Sequence, residues 1–410
     1  MPTIKGERLI ADLRRLAQFG RYKTGVHRPT YSPDDMAARR WVAGRMEEAG
    51  LDPVIDGVGT LLGRSRASGR KLLTGSHLET QPYSGWLDGA MGVIYGLELA
   101  RTFAEDPRSA GLGIEVGAWA DEEGHYGALL GSRSFCGEVD EASIDGARGR
   151  IEGKPLREAL AEAGLAGRPR LHLERERYVG YLEAHVEQGD TLDNAGLRLG
   201  IVTGIVGIHL YRIHFEGQQN HAGTTRMAVR RDAGVALVRL AAEIDRRFPS
   251  VAGPRSVWTT GKITLDPGAP SIIPGKAEML FQFRDVEPER LALLVRTIEE
   301  LVRQANAQGP CRVTLEPVSR VAPSAMDASF QQALESAAEG HAPKLHLRLP
   351  SAAGHDAQIF ARYLPSGMLF VPSIGGISHH FSEDTNEADI VLGCQVFADA
   401  AERILREAAA

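Results

Sequence analysis

Cysteine is scarce in this sequence, with three residues among 410, and no two of them form a CxxC pair. Cys136, Cys311 and Cys394 are widely separated along the chain. This spacing excludes a zinc site made of paired thiolates and argues against a disulfide framework. Unpaired cysteines are typical of a reducing compartment, so we expect a cytoplasmic protein.

Basic clusters and long apolar runs are also missing. The chain has 47 Lys and Arg against 53 Asp and Glu, a net charge of −6, and no basic block that could follow phosphates. No run approaches the roughly 18 apolar residues of a membrane-spanning helix, and the N-terminal segment is charged and amphipathic without the apolar core of a signal peptide. We therefore expect a soluble protein that binds neither nucleic acid nor a membrane.

The patterns that are present indicate two domains. The chain is longer than the size at which a single core usually stops growing. Ser32 followed by Pro33 and two acidic residues predicts a helix that runs to Gly50. Short apolar segments such as KLLTGS and GIEVGAWA alternate with helical patterns, which predicts α/β layers around a largely buried sheet.

The segment 202–317 has a different pattern. Its apolar periodicity predicts a strand, a helix, two strands, a helix and a strand, which is the βαββαβ order of a ferredoxin-like unit. A unit of this size can fold as its own domain. We therefore predict an inserted domain at 202–317, and a discontinuous larger domain formed by 1–201 and 318–410.

Five segments outside the insert carry metal-type ligands at expected strand ends. Taken singly, each has an ordinary explanation as a turn, a solvated acidic loop or a surface histidine. One metal centre would explain all of them, because mixed imidazole and carboxylate ligands suit zinc, manganese, cobalt or nickel. Asp88, between Leu87 and Gly89, is the natural bridge between two ions about 3.5 to 4 Å apart. The segments are GSHLET (His77, Glu79), WLDGAMG (Asp88), ADEEGHYG (Asp121, Glu122, Glu123), LEAHVEQG (Glu183, His185, Glu187) and GGISHHFSED (His379, His380, Glu383).

Eight motifs follow one another along the chain: GSHLETQPYSGWLDGAMGV, ADEEG, YLEAHVEQGD, NHAGTT, IIPG, FRD, AAGHDAQ and PSIGGISHHFSED. In this order and spacing they resemble the hydantoinase/carbamoylase branch of the M20 metallopeptidase clan. That branch contains N-carbamoyl-L-amino-acid amidohydrolases, β-ureidopropionases and allantoate amidohydrolases. The resemblance implies an M20-type two-metal catalytic domain that is interrupted by a ferredoxin-like lid, through which two subunits dimerise.

The resemblance also implies ligands for two divalent ions in each subunit. Asp88 would bridge the ions, with His77 and His185 on one side and Glu123 and His379 on the other. His379 is preferred over its neighbour because it directly follows the serine of the SHH motif and precedes the motif's glutamate by four positions.

Further roles are implied around these ions. Glu122 would be the general base, and Asp121 would support the turn that presents it. His221 would donate to the oxyanion after moving in with the lid, from the same or the partner subunit. The implied contacts with a small-molecule substrate are those of Gln188, Asn220, Ser271, Arg284, Gly354 and His355.

The chain departs from the family pattern at four positions. Glu79 stands where an Asp usually orients the imidazole of a metal ligand, and it is expected to keep that role from outside the ligand set. Ser271 replaces an Asn that helps to hold a substrate carboxylate. Trp86 stands where a basic residue is common, and Arg226 where Pro is common.

Three functions are compatible with these observations. The first is an amidohydrolase that cleaves the C–N bond of an N-carbamoyl (ureido) amino acid or a similar small linear amide. The second is an aminoacylase or dipeptidase of the same clan, and the third is a non-catalytic binding protein on the same scaffold. Gln188 favours the first, because in the ureidohydrolases this Gln recognises the small polar end of the substrate. The third is expected to have lost a ligand or Glu122, and all of these residues are present.

Overall fold

The structure is a computed structural model that describes residues 2–109 and 111–409. Its α-helices α1 to α12 are Gly6–Leu16, Pro33–Glu48, Ala90–Glu105, Leu130–Phe135, Glu141–Gly146, Leu156–Glu162, Thr191–Asn194, Ala233–Arg247, Pro288–Gln308, Ala328–His341, Asp356–Phe360 and Glu387–Ala409. Its strands β1 to β17 are Arg21–Tyr22, Gly25–Val26, Asp52–Ile55, Leu61–Arg64, Lys71–His77, Gly113–Trp119, Tyr178–Val186, Leu199–Ile205, Gly207–Glu216, Asn220–His221, Val257–Asp266, Ile272–Ile273, Lys276–Asp285, Arg312–Val321, Ser324–Ala325, His346–Ser351 and Ser366–Val371.

The chain divides into two compact units. The first consists of Met1–Thr203 together with Ala325–Ala410, and the second is Gly204–Ser324. The second unit ends later than the predicted boundary at 317. The reason is that β14 continues through Pro317 to Val321.

The first unit is built on a mixed sheet with the strand order β8-β17-β7-β5-β6-β4-β3. The four central strands β17, β7, β5 and β6 are parallel to one another. Every residue of these strands is buried, as expected for parallel strands that are covered on both faces. Their carboxyl ends meet at one edge of the sheet, which is where α/β proteins form their sites.

Helices cover both faces of this sheet. On one face α3 contacts the three strands β5, β6 and β7, and α12 contacts β7 and β17. On the other face α4 and α11 enclose a cluster of aromatic rings from Trp119, Phe135, Tyr181 and Phe360. The helix predicted to follow Ser32 is present, and the Ser32 hydroxyl accepts the N–H of Asp35 at 3.2 Å.

The second unit has the predicted βαββαβ order. Its four-stranded antiparallel sheet has the order β11-β13-β9-β14, and its core lies between one face of the sheet and the helices α8 and α9. Alternate residues of β13 are buried, so the other face carries the half-buried side chains. A separate two-stranded ribbon pairs β10 with β12.

No helix in residues 2–109 and 111–409 combines the length and the apolar character that are needed to cross a membrane.

Candidate metal centre

Asp88 lies at the middle of the candidate site, just beyond the carboxyl end of β5. The residue is 1% exposed, and its Oδ1 atom has no hydrogen-bond partner among the described residues. Gly89 follows it with φ of +67°, and a Cβ atom at this position would lie 2.4 Å from the ring of His77. Glycine is therefore required here, because the imidazole packs directly on the backbone.

Two groups of three side chains share Asp88, and the ligand atoms within each group lie within 4.8 Å of one another. In the first group, Nε2 of His77 and Nε2 of His185 lie 3.5 and 3.2 Å from Oδ1 of Asp88. In the second, Nε2 of His379 lies 3.4 Å from Oδ2 of Asp88 and 3.9 Å from Oε1 of Glu123. The structure thus brings together the five side chains that the sequence nominates as ligands.

Main-chain carbonyls fix the orientation of the two buried rings. Nδ1 of His77 lies 2.9 Å from the carbonyl oxygen of Glu79, and Nδ1 of His185 lies 2.9 Å from that of Val186. Because a carbonyl can only accept, Nδ1 carries a proton in both rings. Nε2 is therefore the atom that each ring presents to Asp88, which is the arrangement that a metal-ligating histidine needs.

The three consecutive acidic residues after β6, Asp121, Glu122 and Glu123, make different contacts. Asp121 adopts φ of +57°, and its carboxylate accepts the main-chain N–H groups of residues 125–127 at 2.7 to 2.9 Å. It therefore holds the turn, as the sequence predicted. Glu123 belongs to the second group, and Oε2 of Glu122 lies 3.7 Å from Nε2 of His77.

The predicted role of Glu79 needs a correction. Its main-chain carbonyl orients His77, whereas the carboxylate points elsewhere. The carboxylate accepts the N–H of Glu122 at 2.6 Å and the guanidinium of Arg39 at 2.6 Å. Arg39 is fully buried and also donates to Asp35 at 3.0 Å. The extra methylene of Glu79 thus lets one residue tie the His77 loop to the Glu122 loop.

The charges at the site favour a cation between the acids and the rings. Burial raises the pKa of Glu122 well above its usual range, and the neighbouring Glu123 carboxylate adds to this shift. Burial lowers the pKa of His77, but the negative charges of Glu122 and Asp88 outweigh it and raise that pKa well above its usual range. The cluster therefore attracts positive charge despite its burial.

Gln188 lies against the second group. Its backbone has φ of +58°, and its main-chain N–H donates to the Ser373 hydroxyl at 3.0 Å. Its side-chain Nε2 lies 3.3 Å from Oδ2 of Asp88 and 3.3 Å from Nε2 of His379. The amide of Gln188 is thus within reach of any small molecule bound at Asp88.

Gly354 and His355 lie between β16 and α11. His355 is 2% exposed, and the centroid of its ring is 4.6 Å from that of His185. Its Nε2 lies 2.9 Å from the Ser351 hydroxyl. In this conformation His355 packs behind a proposed ligand, and the half-buried Gly354 is the more accessible of the two.

Three further predicted residues lie together in the second unit, where Asn220 and His221 form β10 and Ser271 directly precedes β12. Nδ1 of His221 accepts the N–H groups of Gly223 and Thr224 at 3.0 and 3.2 Å, so the ring proton of the neutral imidazole is on Nε2. Asn220 accepts the N–H of His221 through Oδ1 at 2.8 Å. The main-chain carbonyl of Ser271 accepts the N–H of Ala222 at 3.0 Å.

Arg284 lies on β13, on the open face of the four-stranded sheet. Its Nε donates to Oε1 of Gln282 at 2.9 Å. Burial lowers the pKa of Arg284. The adjacent Asp285 accepts the Ser256 hydroxyl and the N–H of Glu287.

Several acids and one histidine that the motifs offered as ligands have other contacts. Within the described residues, both ligand groups lack Glu183, Glu187, His380 and Glu383. Glu183 accepts the Ser76 hydroxyl at 2.8 Å, and Glu187 accepts main-chain N–H groups at the start of α7. His380 contacts the Ser382 hydroxyl at 2.7 Å.

Glu383 supports two of the ligand-bearing loops. Its carboxylate accepts the N–H of Asp88 at 3.1 Å and the Ser378 hydroxyl at 2.7 Å, and the residue is 1% exposed. A Cβ atom at Gly85 would lie 1.9 Å from this carboxylate, so the preceding turn needs a glycine. The sequence offers Glu383 as a candidate metal ligand, but in the structure it stabilises the loops that carry Asp88 and Ser378 and belongs to neither ligand group.

Two supporting residues have no distinctive signal in the sequence. Arg39 lies in the middle of α2, where an arginine ordinarily faces solvent, yet it is fully buried beside Glu79. Gln81 lies in a loop, and its amide reaches the carboxylate of Glu123. The Arg39–Glu79 and Gln81–Glu123 contacts join residues that are 40 and 42 positions apart in the sequence.

The chain is similar to several known proteins. Residues 73–403 match the model of Peptidase family M20/M25/M40. The chain is 32% identical to an N-carbamoyl-L-amino acid amidohydrolase of Geobacillus stearothermophilus, over 96% of this chain and 97% of that protein. It is 31% identical to an allantoate amidohydrolase of Bacillus subtilis (strain 168), over 94% of each chain.

A solved structure gives the same result. An amidase of the hydantoinase/carbamoylase family from Burkholderia phymatum superposes with a TM-score of 0.90 at 49% identity, and the match covers 99% of each chain. The shared sequence spans both units of the fold. The chain therefore belongs to Peptidase family M20/M25/M40 and, within it, to the hydantoinase/carbamoylase amidases.

Proposed function

We propose that this protein is a metal-dependent amidohydrolase that cleaves the C–N bond of an N-carbamoyl (ureido) amino acid or a similar small linear amide. The observation that carries the proposal is the pair of ligand groups that share Asp88, with Glu122 beside them. The named relatives, which are amidohydrolases of ureido compounds, support the same reaction class.

The residues present fit two divalent ions. Oδ1 of Asp88 is buried without a hydrogen-bond partner among the described residues, and the two histidines of the first group present Nε2 to it. His77 and His185 would hold one ion, Glu123 and His379 the other, with Asp88 shared between them. Such ions lower the pKa of a water molecule and polarise a carbonyl group. Zinc, manganese, cobalt and nickel all suit this donor set.

Glu122 is the proposed general base. Its carboxylate lies beside the first group without belonging to either, so it is available to accept a proton. It takes a proton from the attacking water and gives it to the leaving nitrogen when the C–N bond breaks. Glu79 positions it by accepting its main-chain N–H.

His221 is the proposed donor to the oxyanion. Its Nδ1 is occupied by two main-chain N–H groups, so Nε2–H is the atom that can donate to a developing negative charge. Asn220 lies beside His221 on β10, and Ser271 directly precedes the paired strand β12. Both are the proposed neighbours of His221 around the substrate.

Arg284 is the proposed anchor of a substrate carboxylate, because a guanidinium matches two carboxylate oxygens. Gln188 is proposed to bind the ureido end, and Gly354 and His355 are proposed as further substrate contacts, with a change of the buried His355 side chain needed for its contact. With Ser271 in place of the usual Asn, the carboxylate has one amide partner fewer.

A substrate screen with the metal-loaded enzyme tests the function. N-carbamoyl amino acids, allantoate and ureidoglycolate are expected to be hydrolysed faster than N-acyl amino acids. Preference for the N-acyl compounds would instead indicate an aminoacylase. No hydrolysis of any of them by protein with full metal content would contradict the proposal.

The carboxylate anchor has its own test. Wild type is expected to prefer an N-carbamoyl amino acid over its carboxamide, and Arg284→Lys is expected to raise KM for the acid about 10-fold or more, since one ammonium cannot replace a two-point contact. Arg296→Lys, a change of the same type on α9, serves as the control. If wild type hydrolyses the acid and the amide equally well, the carboxylate assignment is wrong.

We also propose a homodimer formed through the second unit. Its edge strand β11 and helix α8 expose apolar side chains, with Val238 64%, Ile263 52% and Leu265 42% exposed. An edge strand of this kind pairs readily with another strand. Light scattering is expected to give twice the chain mass, and Ile263→Lys is expected to shift the protein towards a monomer. A monomeric wild type would contradict the proposal.

The proposed location is the cytoplasm. Cys136, Cys311 and Cys394 are free thiols in the structure, as is usual in a reducing compartment.

A further inference from the structure

Gln81 holds the carboxylate of Glu123 from two directions. Its main-chain N–H donates to Oε1 at 3.2 Å, and its side-chain Nε2 donates to Oε2 at 2.7 Å. The same Nε2 lies 3.1 Å from the main-chain carbonyl of Glu123. Both oxygens of Glu123 are thus fixed by one residue, on a loop that leaves β5 after His77.

Arg150 decides which way the Gln81 amide faces. Its Nη2 donates to Oε1 of Gln81 at 2.9 Å. Because a guanidinium can only donate, this contact selects the amide orientation that turns Nε2 towards Glu123. The main-chain N–H of Arg150 also donates to the carbonyl of His125 at 2.7 Å, which joins its loop to the one that carries Glu123.

We infer that Gln81 is a positioning residue for the half of the metal centre formed by Glu123 and His379, and that Arg150 sets the orientation of its amide. The inference rests on the proposed two-ion site. Among the contacts of residues 2–109 and 111–409, the hydrogen bonds of Gln81 reach Glu123 and none of the other four proposed ligands.

This selectivity gives a specific expectation. A residue that supports a ligand from outside the ligand set typically contributes about 10- to 100-fold to metal affinity. Removing the Gln81 amide should therefore weaken one of the two sites by this factor. The site formed by His77, His185 and Asp88 should keep its affinity, because Gln81 does not hold its ligands.

Calorimetric titration of the metal-free protein with Mn²⁺ tests the inference. Wild type is expected to show two binding steps. Gln81→Met keeps the side-chain length and loses the amide, so one step should weaken about 10- to 100-fold while the other stays unchanged. Arg150→Met should weaken the same step by less, because the amide is still present but no longer oriented.

Two controls separate positioning from general stability. Arg148→Met removes a neighbouring arginine whose guanidinium donates to the local carbonyls of Asp145 and Ala147, and it should leave both steps unchanged. The melting temperature of metal-free Gln81→Met should match that of wild type. A lower melting temperature with equal weakening of both steps would make Gln81 a structural residue and overturn the inference.

The remaining outcomes are also decisive. If wild type binds two ions and Gln81→Met binds them with unchanged affinities, the inference fails and the proposed function stands. If wild type binds fewer than two ions, the two-ion site fails and the inference fails with it.

Discussion

The variant Glu122→Gln is expected to lose turnover by about 10² to 10⁴-fold while it keeps its fold and metal content, which is the usual contribution of a general base. The amide has nearly the same shape as the carboxylate but cannot accept the proton of the attacking water. Glu122 stands outside both ligand groups, so the change should leave the ligands in place. The measurements are kcat with an N-carbamoyl amino acid and metal analysis of the purified variant.

The control for this variant is Glu176→Gln, which alters an exposed acid of the same unit. It should leave both turnover and metal content unchanged. A fully active Glu122→Gln enzyme would rule out the proposed mechanism. A variant that loses metal together with activity would instead make Glu122 a ligand.

The features that the sequence predicted well are those with a regular physical cause. The fully buried strands β5, β6, β7 and β17 contain short apolar segments, and ligands that follow parallel strands must meet at the edge where the carboxyl ends gather. This rule predicts that His77, Asp88 and Glu123 lie near one another. The βαββαβ order of the second unit follows in the same way from the spacing of its apolar residues.

Contacts made by loops could not be predicted in this way. The sequence shows that Glu79 is one methylene longer than the usual Asp, but not that its carbonyl would serve His77 while its carboxylate reached Arg39 and Glu122. Such contacts depend on the final positions of two loops that are distant in the sequence, and the periodicity of apolar residues does not predict these positions. The boundary at 317 was missed for a related reason, because Pro317 lies within an edge strand, where proline is tolerated.

Asp88→Asn is expected to have the second large effect, the loss of metal from both halves of the centre together with nearly all activity. Asp88 is the one side chain common to the two ligand groups, and each of its oxygens faces a different group. The amide has almost the same volume, so the buried site is not left with a cavity. It lacks the negative charge, however, and one oxygen is replaced by a nitrogen that cannot act as a ligand.

Metal analysis of three matched variants tests whether metal is lost because Asp88 is the ligand shared by the two groups. His379→Ala should lower metal content, since His379 belongs to the second group alone, and Asp88→Asn should lower it further. His380→Ala should retain the wild-type content, because the His380 ring contacts Ser382 instead. Loss of metal in His380→Ala with full content in His379→Ala would show that the ligand had been assigned to the wrong histidine, and equal losses would contradict a role for His379 alone. Full metal content in Asp88→Asn would contradict the shared ligand, because a bridge that carries no charge could not hold two divalent ions close together in a buried site.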